Sequence, residues 1–141
     1  MNDLNPDCFG EILFDDHGRV LIRRPTGGHG GFVWTFAKGM PESGESQETA
    51  ALREVLEETG YRCEIVCRIP GAFESATCWT AYFLMRPIGE PGGFDLETAE
   101  VRWVTVSEAR LMLAESSTVK GRARDLAVLE AAAGVRENAG L

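Results

Sequence analysis

Residues 39–61 read GMPESGESQETAALREVLEETGY, and this stretch decides the fold. It opens on Gly39 after a lysine, passes through a turn, enters a carboxylate-rich helix and closes on Gly60. Ser46 is suited to cap a helix predicted from about Gln47 to Thr59, with Gly60 as the residue that stops it. Thr49 stands where a capping box would need Glu or Gln, so the cap rests on Ser46 alone. Glu54, Glu57 and Glu58 fall at i, i+3 and i+4 and project from one face. Like charges at that spacing destabilise a helix, so the cluster makes a poor stability device. It makes good sense beneath a divalent cation, because hard cations take several oxygen ligands. Leu52, Val55, Leu56 and Thr59 form the less polar side, expected to lie roughly opposite the glutamates and against the core.

Composition sets the bounds around this helix. The 141 residues suit one domain with a single core, 44% apolar and 26% charged. A net charge of −8 argues against a general nucleic-acid or membrane-surface role, since both need basic surface. An anionic small substrate stays open, because bound metal ions invert local charge. Cys8, Cys63, Cys67 and Cys78 form no CxxC pair and have no histidine to complete a zinc set, which points to reduced thiols in a cytoplasmic protein. The N-terminus is too polar for a signal peptide, and no apolar run is long enough to span a bilayer.

Upstream, Phe9–Asp15 and Arg19–Arg24 read as two strands around the turn Asp15-Asp16-His17-Gly18, predicted to form a hairpin. Arg23 and Arg24 are either a solvated strand end or a pair of which one faces a phosphate, whose oxygens suit the guanidinium fork. Pro25–Gly31 (PTGGHGG) is expected to be a flexible loop. It lacks the spacing of a phosphate-binding P-loop, and His29 reads as a surface residue. Phe32–Phe36 reads as a short strand with Trp34 and Phe36 on one face. Phe36 suits the core, and Trp34 suits either the core or the wall of a base-binding pocket.

Downstream, Tyr61–Ile69 is β-rich, Pro70-Gly71 breaks it, and the apolar run within Phe73–Arg86 reads as a central strand. Pro87–Phe94 is a loop and Val101–Val104 a strand. Ser107 is expected to cap a short helix from Glu108 to about Ala114. A last helix spans about Lys120–Ala133, followed by a frayed tail from Gly134 to Leu141. Strands interleaved with helices suggest a mixed sheet between helical layers.

The spacing Gly39, five residues, Glu45, seven residues, Arg53-Glu54-Val55, one residue, Glu57-Glu58, one residue, Gly60-Tyr61 resembles the Nudix box of Nudix (MutT-like) hydrolases. Every charged and glycine position of that pattern is filled; only Tyr61 stands where an aliphatic residue is more usual. Trp34-Thr35-Phe36-Ala37-Lys38-Gly39 is similar to the WxFPKG lead-in of family members acting on dinucleoside polyphosphates, with Ala37 in place of the proline. Val101–Val104 and Ser107-Glu108-Ala109 also look like the family's last strand and following helix.

This resemblance implies a Nudix fold, an α/β/α sandwich with a mixed β-sheet between helices, and hydrolysis of a nucleoside diphosphate linked to a further moiety. By position, Glu54, Glu57 and Glu58 would ligate Mg²⁺ or Mn²⁺ with the carbonyl of Gly39. Glu45 would be an accessory ligand, and Arg53 would hold a neighbouring glutamate. Glu54 is the base candidate within the box; Glu97, favoured slightly, and Glu100 are candidates from a later loop. Lys38 would reach a substrate phosphate or stand solvated. Trp79 would stack on a base, and Tyr82 would face the cleft or, more readily, pack in the core. The expected substrate is a dinucleoside polyphosphate or nucleoside triphosphate, with ADP-ribose and diphosphoinositol phosphates as alternatives. The rival of another class is a catalytically silent nucleotide-binding Nudix domain, and an intact box counts against it. Monomer and homodimer are both compatible with the family.

Overall fold

The computed structural model describes residues 5–75 and 78–140, without the side chains of residues 29 and 30. The sensed role of the His29 side chain therefore lies outside the described residues. A mixed sheet runs in the order β3 (Lys38–Gly39), β1 (Cys8–Leu13), β6 (Trp79–Pro87), β4 (Cys63–Arg68), with β5 (Phe73–Glu74) also paired to β6. A separate ribbon joins β2 (Val20–Pro25) antiparallel to β7 (Thr98–Val104). Helix α1 (Gln47–Thr59) covers one side, and α2 (Val106–Leu113) and α3 (Val119–Asn138) cover the other.

Strand alternation sorts the side chains into two cores. Phe9, Leu13, Ala81, Phe83 and Met85 meet Ala50, Ala51 and Val55 of α1. Ile12, Tyr82 and Leu84 meet Ala109 and Leu113 of α2 and Val128, Leu129 and Ala132 of α3. The predicted central strand is β6, which pairs parallel with β1 and antiparallel with β4. Its long apolar run is what burial on both faces requires.

Several local expectations are corrected. The turn after β1 exists, with the Asp15 amide donating to the Arg19 carbonyl at 2.9 Å, but β1 and β2 form no hairpin beyond a Phe14–Val20 bridge. Both strands are buried along nearly their whole length, so each takes a long apolar partner from far along the chain. Phe32–Phe36 is not a strand. Its backbone bridges to β2 at Thr35, whose amide and carbonyl exchange 2.9 Å bonds with Arg23. The glycine-rich segment Thr26–Gly31 winds into a 3-10 helix.

Thr105, rather than Ser107, caps α2, through a full capping box with Glu108. The expected frayed tail is helical through Asn138, because Val135 packs on the core and the Arg136 guanidinium lies 5.2 Å from the Phe14 ring centroid. Helix α1 matches its predicted ends, with Ser46 accepting from the Thr49 amide and Gly60 at φ 81°. Its buried face, however, comprises Ala50, Ala51, Glu54, Val55, Glu58 and Thr59, while Leu56 is 36% exposed. Two of the glutamates thus flank the apolar stripe instead of opposing it.

Candidate active site

Gly39 and Glu54 are in direct van der Waals contact. A Cβ placed on Gly39 would lie 1.7 Å from Glu54 Oε2, so only glycine admits this carboxylate against the strand. The neighbouring Lys38 amide donates to Glu58 Oε1 at 3.1 Å, tying the same strand to the next glutamate. Arg23 Nη1 stands 3.8 Å from that oxygen. The rest of the Arg23 guanidinium donates to Thr98 Oγ1 and to the Glu97 carbonyl, both at 2.9 Å. Alternation on β2 turns Arg23 inward and leaves Arg24 exposed.

Arg53 organises the outer edge. It donates to both oxygens of Glu45, at 2.7 and 2.9 Å, to Glu57 Oε1 at 3.2 Å and to the Met40 carbonyl at 3.0 Å. These bonds hold the Glu45 carboxyl below the usual carboxylate range. Glu57 is the glutamate turned outward, with its side chain 45% exposed. The segment before β7 is pinned beside the helix end. The Asp95 amide donates to the Glu57 carbonyl at 2.8 Å, and Thr26 holds the Leu96 and Glu97 carbonyls at 2.7 and 2.9 Å.

These elements enclose a cleft of about 430 Å³. Glu58, Glu97, Arg23 and Lys38 line it together with Phe32, Phe36, Pro25, Leu96 and Arg124. Burial pushes the Glu54 carboxyl up to about 7; Arg53 opposes the rise, and Glu57, Glu97 and Asp95 add to it. Burial likewise brings Glu58 to about 7, with Arg23 opposing and Glu54 and Glu97 adding. Glu11, on β1, is also buried without a partner for either carboxylate oxygen. Burial first and the charge of Glu58 second hold it well above the usual carboxylate range.

The cleft therefore gathers Arg23, Lys38, Glu58 and Glu97 of the residues singled out from sequence, with Glu54 and Gly39 packed beside it. Others lie elsewhere. Trp34 is buried in the core with the Arg102 guanidinium 4.8 Å from its ring, and it does not line the cleft. Tyr82 is fully buried, edge-on to Phe73. Trp79 begins β6, its amide bonded to Asp7 at 3.2 Å. Arg24 and Arg102 both engage Glu100, which keeps these three charges on the exposed side of the ribbon. Phe32, Leu96, Arg124 and Glu11 were not foreseen. The sequence signal near Arg124 was a glycine, Gly121, inside an otherwise helical pattern.

Among the described residues no three acidic, histidine or cysteine side chains converge ready to hold an ion, since Glu57 is turned onto Arg53. The donor set nevertheless fits a hard divalent cation: crowded carboxylates whose mutual repulsion and burial raise Glu54 and Glu58.

A fold of this kind, with a cleft walled by the helix glutamates and a pinned acidic loop, is that of the Nudix proteins. The NUDIX domain family model matches residues 5–124, and the chain belongs to this family. A MutT-like protein of Streptomyces ambofaciens is 30% identical over 113 residues, covering 79% of this chain and 70% of that protein. An RNA pyrophosphohydrolase of Novosphingobium aromaticivorans is 39% identical over 59 residues, 42% of this chain and 37% of that one. This chain spans under two fifths of the length of two of its curated relatives. Among solved structures, an Ap4A hydrolase of C. elegans superposes with a TM-score of 0.71 at 19% identity, covering 95% of this chain and 99% of that one. At that identity the likeness shows the shared fold.

Proposed function

We propose that the chain is a metal-dependent pyrophosphohydrolase that cleaves a phosphoanhydride bond in a nucleoside di- or polyphosphate derivative. The observation that carries this reading is the pair Glu54 and Glu58, buried side by side and raised to about 7, at a cleft whose other walls present Arg23, Lys38 and Glu97. Buried carboxylates kept without full neutralisation are costly to a fold and suit a site that takes up cations. Glu54, Glu57, Glu58 and the Gly39 carbonyl would hold Mg²⁺ or Mn²⁺. Bound there, the ion would neutralise charge on the anhydride oxygens and acidify a water.

The chain's own side chains supply the remaining roles. Arg23 and Lys38 would take phosphate oxygens, with Arg23 oriented by Thr98 and the Glu97 carbonyl. Glu97, exposed at the cleft, would accept the proton of the attacking water, and Glu54 is the second candidate. Arg53 would position Glu45 and Glu57. Relatives bear the names RNA pyrophosphohydrolase, ADP-sugar pyrophosphatase and 8-oxo-dGTP diphosphatase. Their common chemistry is the anhydride rather than one substrate, and nucleoside triphosphates and dinucleoside polyphosphates head the substrates to be tried. Among the described residues, no helix is long and apolar enough to cross a membrane.

The test is chromatographic detection of the cleavage products of nucleoside triphosphates (nucleotide with phosphate or pyrophosphate), dinucleoside polyphosphates (two mononucleotides), ADP-ribose (AMP and ribose 5-phosphate) and diphosphoinositol phosphates (phosphate), each with Mg²⁺ or Mn²⁺. Turnover of at least one substrate, reduced about 10²-fold or more by Glu57→Gln and by Glu97→Gln, is expected. Absence of turnover across the panel, or full rate in Glu57→Gln, overturns the reading.

A further inference from the structure

Cys8 and Cys78 have no part in the anhydride chemistry, and they share one corner of the mixed sheet. Cys8 and Thr80 are register partners on the parallel strands β1 and β6. Both side chains face the α2–α3 layer, because Ile12, Tyr82 and Leu84, an even number of residues further along the same strands, pack there. Cys78 precedes Thr80 by two residues, and its Sγ lies 3.6 Å from Thr80 Oγ1. It therefore joins the same face, diagonally beside Cys8. Cys8 is buried and Cys78 half-buried, and both are free thiols. The Ser75 amide donates to the Cys78 carbonyl at 2.9 Å, so Cys78 closes a turn just ahead of the β6 ladder.

The surroundings of the Cys78 sulfur are those of a thiolate. Besides Thr80 Oγ1, Ser75 Oγ stands 3.8 Å from it, so two hydroxyls are placed to donate to a charged sulfur. The Cys8 thiol is its third hydrogen-bond partner and the first cause that brings Cys78 down to about 4; burial opposes, and Thr80, the Lys38 charge and Ser75 add. The same contact, together with burial, pushes Cys8 up. The proton between the two sulfurs thus stays on Cys8. Cys63 is the contrast: its Sγ donates to the Tyr61 carbonyl at 3.7 Å, and burial pushes the thiol up. Because the thiolate is the nucleophilic form, reactivity concentrates at Cys78.

We propose that Cys78 is a modification site for hydroperoxides and that Cys8 resolves the product into an intramolecular disulfide. In the first step the Cys78 sulfur attacks the terminal oxygen of the peroxide. A sulfur–oxygen bond forms, the oxygen–oxygen bond breaks, and the leaving oxygen takes a proton from water; sulfur is oxidised by two electrons to the sulfenic acid, and the peroxide is reduced to an alcohol or water. In the second step the Cys8 sulfur attacks the Cys78 sulfur, and the hydroxyl leaves with the Cys8 proton as water. The sulfurs must close to about 2.05 Å. They are already hydrogen-bond partners, and the closing movement falls on the turn end at Cys78 rather than on the paired strands. A dithiol reductant reverses the bond. The proposal is independent of the hydrolase reading, since neither cysteine lines the cleft.

The test treats the reduced protein with stoichiometric hydrogen peroxide at pH 7, blocks remaining thiols with iodoacetamide, and maps the peptides by mass spectrometry. The expected product has lost two hydrogens, carries Cys8 linked to Cys78, keeps Cys63 and Cys67 as alkylated thiols, and returns to the starting mass with dithiothreitol. Cys8→Ser should stop at the sulfenic acid, trapped by dimedone on Cys78. Cys78→Ser should slow peroxide consumption about tenfold or more. Melting curves confirm that both variants are folded. Alkylation of Cys78 in the native protein should run at nearly the same rate at pH 6 and pH 8, because the thiolate is present at both. First oxidation at Cys63 or Cys67 overturns the proposal, and so does a steep rise of Cys78 alkylation between pH 6 and pH 8. Dimedone labelling of Cys78 in the native chain with no link to Cys8, or a disulfide between two molecules in its place, removes Cys8 from the role given to it and overturns the pair.

Discussion

At the scale of the residue, the contact between Gly39 and Glu54 has the sharpest consequence. A methyl group at position 39 would overlap the carboxylate, so Gly39→Ala must push Glu54 off the strand. The expected result is about a 10–100-fold loss of metal affinity, as for other residues that orient ligands, read by titrating Mg²⁺ against turnover or melting temperature. An unchanged midpoint would mean that Glu54 takes no part in holding the ion. Arg53 makes an equally specific prediction. Its fork grips both oxygens of Glu45 while Nη1 reaches Glu57. Lysine preserves the charge and loses the fork, so Arg53→Lys should cost turnover about as much as Arg53→Ala, within a few fold. Rescue of activity by lysine would show that charge alone suffices. These residues were legible because the box places them at fixed offsets along one stretch, from Gly39 on β3 through Glu45 in the turn to Arg53, Glu54 and Glu57 on α1. Arg124 and Glu11 were not, because a lone arginine or glutamate carries no mark of burial until the packing around it is known.

At the scale of the element, capping chemistry decides where helices begin. The Ser46 and Gly60 boundaries of α1 were readable because both signals act within one turn of the chain. For α2 two neighbouring residues could both cap, and the choice fell on Thr105 because Glu108 sits three residues on to close the box. Thr105→Ala should therefore destabilise the protein by about 1 kcal/mol, and Ser107→Ala by no more than about 0.5 kcal/mol, measured by urea denaturation. Equal losses would return the cap to Ser107. The β1–β2 turn teaches the complementary lesson. Asp15 closes the turn through local bonds, yet the turn does not choose the partners of the strands it joins. That choice goes to β6 and β7, whose apolar faces bury β1 and β2 more completely than the two strands could bury each other.

At the scale of the whole molecule, the site is a region of concentrated negative charge in a chain of net charge −8. With Glu54 and Glu58 at about 7, the folded protein holds more protons than the unfolded chain between the ordinary carboxylate value of 4.5 and about 7. Stability of the metal-free protein therefore falls as pH rises through that window and levels above it. Melting in chelator should be several degrees higher at pH 5 than at pH 7.5, and the double variant Glu54→Gln with Glu58→Gln should flatten that slope. Mg²⁺ should raise the melting temperature at pH 7.5 and do so less at pH 5, where protons compete for the same oxygens. A slope that persists in the double variant would place its origin at other buried acids, of which Glu11 is the first to examine.

The sequence by itself determined the carboxylate-rich helix, its two ends and the glutamate register. Those features follow from dihedral preferences, capping and periodicity within a few residues. Tertiary structure alone decided which glutamates are buried, that Arg23 turns in while Arg24 turns out to Glu100, and that Trp34, Trp79 and Tyr82 stay off the cleft. It also brought Phe32 and Arg124, 92 positions apart in the chain, to one wall. The reason is that burial and electrostatics are sums over neighbours that the chain supplies only once it has folded.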